Sequence, residues 1–303
     1  MLDKLINVCF STAIICVFLA KFSPKLQFLL KYGKTLPKTN TETSQLSFLH
    51  KLYVPKSWFT HFYVLDFFLS LTNLIIIISG NSIYTLISPS RISQFVPTQL
   101  TELMLGEPAE KITKLQFLAV SLLSLAQGTR RTYECLYVSK FYKKSMIHLS
   151  HYLVGWFFYT SINLMPLLSY HPDSNSNEDT VKMSIIRLVL AFIAYSWSSL
   201  DQFRNHKHLA HLVKYNRPQR GLFKYVCCAH YFDEIIVYFS YALILGTKYS
   251  MLILAWVIVD LGISANETYK FYVLQEGRVD EKKGKGSKEP KAPSFGRIVP
   301  FVY

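Results

Sequence analysis

The chain has 303 residues, of which half are apolar and 17% are charged, and its formal net charge at neutral pH is +14. This composition is typical of membrane proteins, and the charges occur in clusters along the chain. A nucleic-acid partner is therefore not needed to explain the positive charge. The five cysteines lack the paired spacing of a zinc site, and we expect neither a disulfide framework nor a structural metal.

Seven apolar segments approach or reach the ~20 helical residues needed to cross a bilayer. We predict an all-α integral membrane bundle of about seven transmembrane helices, formed by a single domain over residues 1–303. The first segment is expected to be a retained span, because no small-residue cleavage site follows it. The predicted spans are Leu5–Leu19, Phe59–Leu86, Ile112–Leu125, Ile147–Leu168, Ile185–Leu200, Phe232–Leu245 and Met251–Tyr272.

The basic residues fall mostly on one side of such a bundle. Counting alternate connections places 26 lysines and arginines on one side and 7 on the other. By the positive-inside rule the richer side is cytosolic, so we expect a lumenal amino terminus and a cytosolic carboxyl terminus. Part of this charge is also available to anionic headgroups or to a phosphorylated cofactor.

Arg130, Arg131 and Glu134 lie within one helical turn where the third apolar run ends, and Arg130 and Glu134 are four residues apart on one face. One interpretation is a juxtamembrane ion pair that helps to set topology. The other is a site in which the arginines meet phosphate and the glutamate orients a polar group. Ionisable residues near a bilayer core are costly and often functional.

The fifth predicted span is followed by a polar stretch with three closely spaced histidines, His206, His208 and His211. A metal site would need further histidine clusters, and only His148 and His151 are available. We therefore predict no bound metal. The alternatives are exposed histidines at a basic helix end or, together with Gln202, part of a cofactor site.

A second polar stretch precedes the sixth span. His230 and Glu234 are four residues apart at a helix start and could form a hydrogen-bonded pair. Asp66, Asp201 and Asp260 also fall in or near spans, and each is either a site residue or a polar contact between helices.

Together these segments resemble the steroid 5α-reductase family, in its polyprenol/polyprenal reductase branch. The resemblance rests on the Arg-Arg-x-x-Glu stretch at 130–134 and on Pro-Gln-x-Gly-Leu-Phe-x-Tyr-Val at 218–226. It covers residues 54–276 and 295–303. Residues 277–294 are charged and punctuated by glycine and proline, so we expect a disordered cytosolic insertion there, whereas the apolar end of the chain should fold back onto the bundle or the bilayer.

The resemblance implies reduction of an activated alkene by hydride from NADPH. No glycine-rich dinucleotide fingerprint occurs, so the cofactor would bind among the basic ends of the bundle. The catalytic candidates are Glu134, His61, Tyr63, Tyr133 and His230. The cofactor-binding candidates are Arg130, Arg131, Gln202, His206, Lys214, Arg217, Gln219, Gly221, Glu234 and Tyr272.

The expected substrate follows from a departure from the steroid-reducing branch. A tyrosine of that branch is replaced by Gly128 here, so the sequence does not identify the acid that polarises the carbonyl. For the substrate, the departure is that the steroid-reducing branch has Gln-Glu where this chain has His61-Phe62. We therefore expect a long-chain polyprenoid substrate in the endoplasmic reticulum membrane, in dolichol synthesis for protein N-glycosylation. The alternatives are a steroid or very-long-chain enoyl-CoA reductase, a membrane methyltransferase of the isoprenylcysteine or phospholipid type, and a transporter.

The charge asymmetry predicts which positions are reached from the cytosol. In sealed microsomes, a membrane-impermeant maleimide should label Lys285→Cys directly and Lys248→Cys only after permeabilisation, with the unsubstituted protein reporting the background from native cysteines. The reverse pattern would contradict the predicted orientation.

Overall fold

The computed structural model describes residues 2–24, 26, 30, 52–79, 110–141, 145–170, 178–212, 216–282 and 296–298. These residues form seven α-helices and one two-stranded antiparallel sheet, so the prediction of a helical fold is confirmed with one small addition. The helices are α1 Leu2–Phe22, α2 Phe59–Ile78, α3 Lys114–Tyr133, α4 Leu149–Ser169, α5 Glu178–His211, α6 Ala229–Leu245 and α7 Lys248–Lys282, and the strands are β1 Tyr53–Pro55 and β2 Met146–His148.

Each predicted span overlaps one helix, but the lengths differ. The fifth predicted span covers Ile185–Leu200, whereas α5 has 34 residues and carries the polar stretch around His206 as continuous helix. Helix α7 has 35 residues and continues to Lys282. Residues 277–282 are therefore helical, which corrects the start of the segment predicted to be disordered, and 283–294 lie outside the described residues.

The packing brings α2 against α3 and α4, α5 against α6, and α7 against both α6 and α1. Aromatic side chains fill the interfaces. The ring of Phe10 on α1 lies 5.0 Å from the ring of Phe157 on α4 and 6.3 Å from Trp256 on α7. Large rigid rings of this kind bury much apolar area at a low cost in side-chain entropy.

Hydrogen bonds between helix ends fix one end of the bundle. Thr113 and Gln116 form a capping box at the start of α3. The Gln116 amide also donates to the carbonyl oxygens of Ile244 and Leu245, at 2.9 and 3.2 Å, where α6 ends. Gly246 then leaves the helix with a φ of 62°, a conformation that glycine adopts at low cost.

Three of the described helical segments are long and apolar enough to cross a membrane by length and composition: Lys4–Phe22, Lys56–Ile78 and Lys248–Gln275. The burial of α5 nevertheless has the character of a membrane helix. Its buried face carries the polar side chains of Ser198, Ser199, Gln202 and Asn205. Its exposed large apolar side chains are Ile185, Ile186, Val189, Leu190, Phe192, Ile193, Trp197 and Leu200. An apolar face of this extent is suited to lipid, and the count of seven spans stays a prediction.

The tail returns to the bundle, as expected, in the three tail residues that the structure describes. Gly296 donates its N–H to the Tyr225 carbonyl at 2.6 Å and accepts from the Cys227 N–H at 3.0 Å. The Arg297 guanidinium donates to the Asn266 side chain of α7 at 2.9 Å. Ile298 is buried against residues at the start of α6 and on α7. The tail therefore fixes the segment that leads into α6.

Candidate active site

The site is organised by polar residues that recur every three or four positions along α3. Gln127, Arg130 and Glu134 point towards α5, and Arg131 also reaches α2. At Glu134 the α-helix changes to a π-helical turn, Glu134–Val138, which the Ser139 N–H closes by donating to the Glu134 carbonyl at 2.7 Å. Such turns are rare and occur frequently at functional sites.

The Glu134 carboxylate is the centre of this network. Its side chain has no exposed surface and accepts from three neighbours. One oxygen accepts from Arg130, and the other accepts from Arg131 and from the Nδ1 of His206 on α5, at 2.6 Å. A buried carboxylate is tolerated only when it is paired and hydrogen-bonded in this way.

The same contacts set the protonation of Glu134 and His206, which lie beyond the ends of the predicted spans. Burial opposes ionisation of Glu134, but the His206 hydrogen bond and the charges of Arg131 and Arg130 hold the pKa of this carboxyl well below its ordinary value. Burial and the nearby Arg131 charge lower the pKa of His206. At neutral pH Glu134 is therefore ionised and His206 neutral, and the His206 Nδ1 lies within hydrogen-bond distance of both the Glu134 carboxylate and, at 2.8 Å, the Arg131 guanidinium.

Arg130 extends the network to α6. Its second terminal nitrogen donates to the Gln127 side chain at 2.7 Å and to the Gln202 side chain of α5. The Gln202 amide group in turn donates to the Glu234 carboxylate and, at 3.2 Å, to the His230 carbonyl. Arg130 thus connects α3 to α5 through Gln202, and Gln202 connects α5 to α6.

Arg131 extends the network to α2. One of its terminal nitrogens donates to the Tyr63 hydroxyl at 2.6 Å, and its guanidinium lies 4.4 Å from the centre of the tyrosine ring. Because the Tyr63 oxygen accepts this bond, its own proton is available to another acceptor. The result is an O–H donor that is held in place by a cation.

Two of the predicted catalytic residues do not join this cluster. His61 is exposed, and its Nδ1 contacts the Tyr152 hydroxyl of α4 at 3.0 Å. The Tyr133 side chain is 51% exposed, and its ring packs beside Tyr137. The outward positions of these two side chains follow from helical geometry, since successive residues point about 100° apart around a helix.

The remaining candidates are spread around the start of α6. The His230 ring lies 5.7 Å from that of His206. Gln219 and Gly221 are exposed in the preceding loop, and Arg217 is half-buried there. Tyr272 is buried beneath the tail, apart from the Glu134 cluster. Lys214 lies outside the described residues.

The structure adds polar residues that sequence patterns did not select. Gln127 is almost fully buried and supports Arg130. Asn205, on α5, donates to Asp233 on α6 at 2.7 Å and to Asp201 at 3.1 Å. Asp201 therefore makes a polar contact within α5, beside the interface of α5 with α6. Gln127 precedes Arg130 by three residues, and Arg130 precedes Glu134 by four. This helical spacing was the sequence signal that could have indicated that Gln127 belongs to the same face.

Gly128 shows why a tyrosine is absent from this position of α3. A Cβ atom at Gly128 would lie 2.8 Å from the backbone nitrogen of Phe67 on α2, which is closer than packing allows. The helices meet here without an intervening side chain. A bulky residue would force α2 and α3 apart.

No group of three or more histidine, cysteine or acidic side chains in the described parts of the chain is arranged to hold a metal ion. His208 contacts the ring of Phe223, whereas His206 belongs to the Glu134 network. His206 and His208, which follow the fifth predicted span, therefore lie in different surroundings.

Comparison with known proteins identifies the family to which the chain belongs. The family described as 3-oxo-5-alpha-steroid 4-dehydrogenase matches residues 147–278. The chain is 36% identical to the polyprenal reductase of Saccharomyces cerevisiae over 268 residues, which cover 88% of this chain and 86% of that protein. It is 29% identical to polyprenal reductase of Drosophila melanogaster, with 84% and 81% covered, and 27% identical to that of Homo sapiens, with 81% and 80% covered.

The chain therefore belongs to the steroid 5α-reductase family, in the branch that contains the polyprenal reductases. It is an oxidoreductase of helical membrane architecture.

We predict that Glu134→Gln will lower the catalytic rate constant, kcat, by about 100-fold, because Arg130 and Arg131 lose the charge that orients them. The protein should still accumulate in the membrane, with a lower thermal denaturation temperature in detergent. Turnover and denaturation are measured on the same purified preparation.

Glu267→Gln is the matched control. Glu267 pairs with Lys270 at 2.8 Å on α7, where the lysine is exposed and the glutamate is partly buried, and an ion pair with one exposed partner contributes little. Equal turnover of the two variants would contradict the central role given to Glu134.

Proposed function

We propose that the protein is an NADPH-dependent reductase that saturates the α-isoprene double bond of polyprenal, on the route to dolichol. The observation that carries the proposal is the Tyr63 hydroxyl held by Arg131 within a closed ionic network. The names and coverage of the similar proteins support the substrate class.

The chemistry favours the aldehyde over the alcohol. Hydride attack on the β-carbon of an alkene leaves a negative charge that must spread onto an electronegative atom. In polyprenal the conjugated carbonyl oxygen receives this charge, and a proton then reaches the α-carbon. In polyprenol no such acceptor is conjugated to the double bond, so the same attack has a much higher barrier.

Tyr63 and Arg131 fit the task of polarising the carbonyl. The Tyr63 hydroxyl can donate to the aldehyde oxygen while it accepts from Arg131, which strengthens the O–H as a donor. The positive charge of Arg131 stabilises the developing enolate beyond that hydrogen bond. His61 and Tyr133, which face away, are left without this role.

The residues present also fit NADPH, which when bound supplies the hydride. The terminal nitrogens of Arg130 and Arg131 already bind protein acceptors, so these arginines act as organisers of the site. Gln127 Nε2 is buried without a hydrogen-bond partner among the described residues and can donate to a carboxamide oxygen. The exposed basic side chains after the fifth predicted span are suited to phosphates: Arg204, Lys207, Arg220 and Lys224.

A steroid substrate is disfavoured by Phe62. It occupies the position where the steroid-reducing branch has an acid, and its buried ring stacks 6.0 Å from the ring of Tyr159. A 3-keto steroid would find an apolar ring there in place of a donor.

The proposal places the protein in the endoplasmic reticulum membrane as a multi-pass enzyme, with the basic ends of the helices and the Glu134 network on the cytosolic side. The apolar prenyl tail would lie between helices or in lipid. Dolichol made in this way carries the glycans for protein N-glycosylation.

Purified protein with NADPH should saturate polyprenal and leave polyprenol unchanged, because only the aldehyde can hold the added charge. Each lipid is incubated separately, in a preparation free of alcohol dehydrogenase, and the products are followed by mass spectrometry for a gain of two hydrogens. A 3-keto-4-ene steroid is included as a third substrate.

Glu134→Gln serves as the control for contaminating reductases. Efficient saturation of polyprenol would refute the argument from charge delocalisation. Turnover of the steroid at a rate comparable to that of polyprenal would favour the other branch of the family.

A further inference from the structure

Asp66 joins three helices inside the bundle and is not used by the chemistry above. Its side chain on α2 is fully buried. One carboxyl oxygen, Oδ1, accepts from the Ser124 hydroxyl of α3 at 2.8 Å and from the Asn163 amide of α4 at 2.7 Å. The Asn163 carbonyl accepts in turn from Asn73 of α2 at 3.0 Å. We call these four residues the Asp66 cluster.

The other carboxyl oxygen lies where α2 and α3 are closest. Within the described parts of the chain Asp66 Oδ2 has no hydrogen-bond partner, and a Cβ atom on Gly128 would lie 3.1 Å from it. The absence of a side chain at Gly128 and the hydrogen bonds to Oδ1 therefore act together. The glycine permits the close approach of the helices, and the Asp66 cluster fixes their relative position.

Asp66 is suited to this task as a neutral acid. None of the ion pairs among the described residues includes it, and a carboxylate without a counter-charge inside a bilayer is costly. With both donors on Oδ1, a neutral acid at this position would carry its proton on Oδ2. The cluster then carries no net charge, and its hydrogen bonds are strengthened by the low-dielectric surroundings.

Asp66 and the facing Gly128 each lie one helical turn from the candidate donor pair, Asp66 from Tyr63 and Gly128 from Arg131. Tyr63 precedes Asp66 by three residues on α2, and Arg131 follows Gly128 by three residues on α3. Any slide or rotation of α2 against α3 at Asp66 would displace the Tyr63 hydroxyl from the Arg131 guanidinium. A displacement of about 1 Å near a reacting group can cost 100-fold in rate.

We propose that Asp66 is a positioning residue for the reduction: through Ser124 and Asn163 it holds α2 in register with α3, so that Tyr63 stays on Arg131. This inference rests on the proposed function for the role of Tyr63 and adds a residue that acts only through it.

Three substitutions test the proposal with polyprenal and NADPH. Asp66→Leu removes the acceptor and should lower kcat about tenfold or more, with KM for polyprenal changed little. Asp66→Asn keeps a carbonyl oxygen in the place of Oδ1 and should restore kcat to within about threefold of the unsubstituted enzyme. Ser70→Ala is the control, since among the described residues the Ser70 hydroxyl donates to the backbone of its own helix and to no other element.

A double-mutant cycle separates positioning from a general loss of stability. In the Tyr63→Phe background, Asp66→Leu should cause little further loss of kcat, because the donor that it positions is already absent. Ser124→Ala, which removes a single donor, is run in both backgrounds in case Asp66→Leu does not accumulate, and the same non-additivity is expected.

Additive losses in both cycles, or a kcat of Asp66→Leu equal to that of the Ser70→Ala control, would overturn the positioning role. An inactive but folded Asp66→Asn would also overturn it and would instead make the Asp66 proton a participant in the reaction. Failure of the unsubstituted enzyme to reduce polyprenal would refute the proposed function, and non-additive effects on the reduction of another conjugated carbonyl compound would leave the positioning role standing.

Discussion

The burial of Glu134 beside two arginines is the constraint on which the rest of the site depends. A carboxylate without exposed surface must be matched by donors, and here Arg130, Arg131 and His206 supply them. Each arginine has further hydrogen bonds to make, and these reach α2 through Tyr63 and α6 through Gln202. Satisfying one buried charge therefore fixes the relative positions of four helices.

The described part of the bundle has polar groups among the apolar side chains of its interior and large apolar groups on its exterior. Asp66, Asn163 and Asp233 are buried, whereas large apolar side chains of α5 are exposed. This arrangement explains why three of the seven described α-helices meet the criteria for membrane spans by composition, whereas the other four do not. Helices that contribute polar side chains to the interior have a lower average hydropathy, although their outward faces are suited to lipid.

The sequence predicted the positions of most helices and the shared face of Arg130 and Glu134, because these features depend on residues that are close together in the chain. The four-residue spacing of Arg130 and Glu134 placed them on one face, and the spans marked the helices. It did not show that Arg131 contacts Tyr63 and neither His61 nor Tyr133, because that choice depends on which face of each helix meets Arg131. The α7 boundary was misjudged because charged residues favour solvent without preventing helix formation.

Contacts between distant residues were not predictable in the same way. Asn205 meets Asp233, and Gln202 meets Glu234, only after α5 and α6 pack side by side. A glutamine or asparagine within a helix gives no local indication of its partner. The π-helical turn at Glu134 is likewise a result of packing that the residue types alone did not indicate.

The central claim is that the Tyr63 hydroxyl, held by Arg131, polarises the carbonyl oxygen of the substrate. The most direct test is the kcat of Tyr63→Phe on polyprenal, measured beside Tyr152→Phe, whose hydroxyl contacts the exposed His61 instead. Our account predicts a fall in kcat of about 100-fold for Tyr63→Phe, a loss typical of removing one such donor, and a near-normal value for Tyr152→Phe. A near-normal kcat for Tyr63→Phe would contradict it.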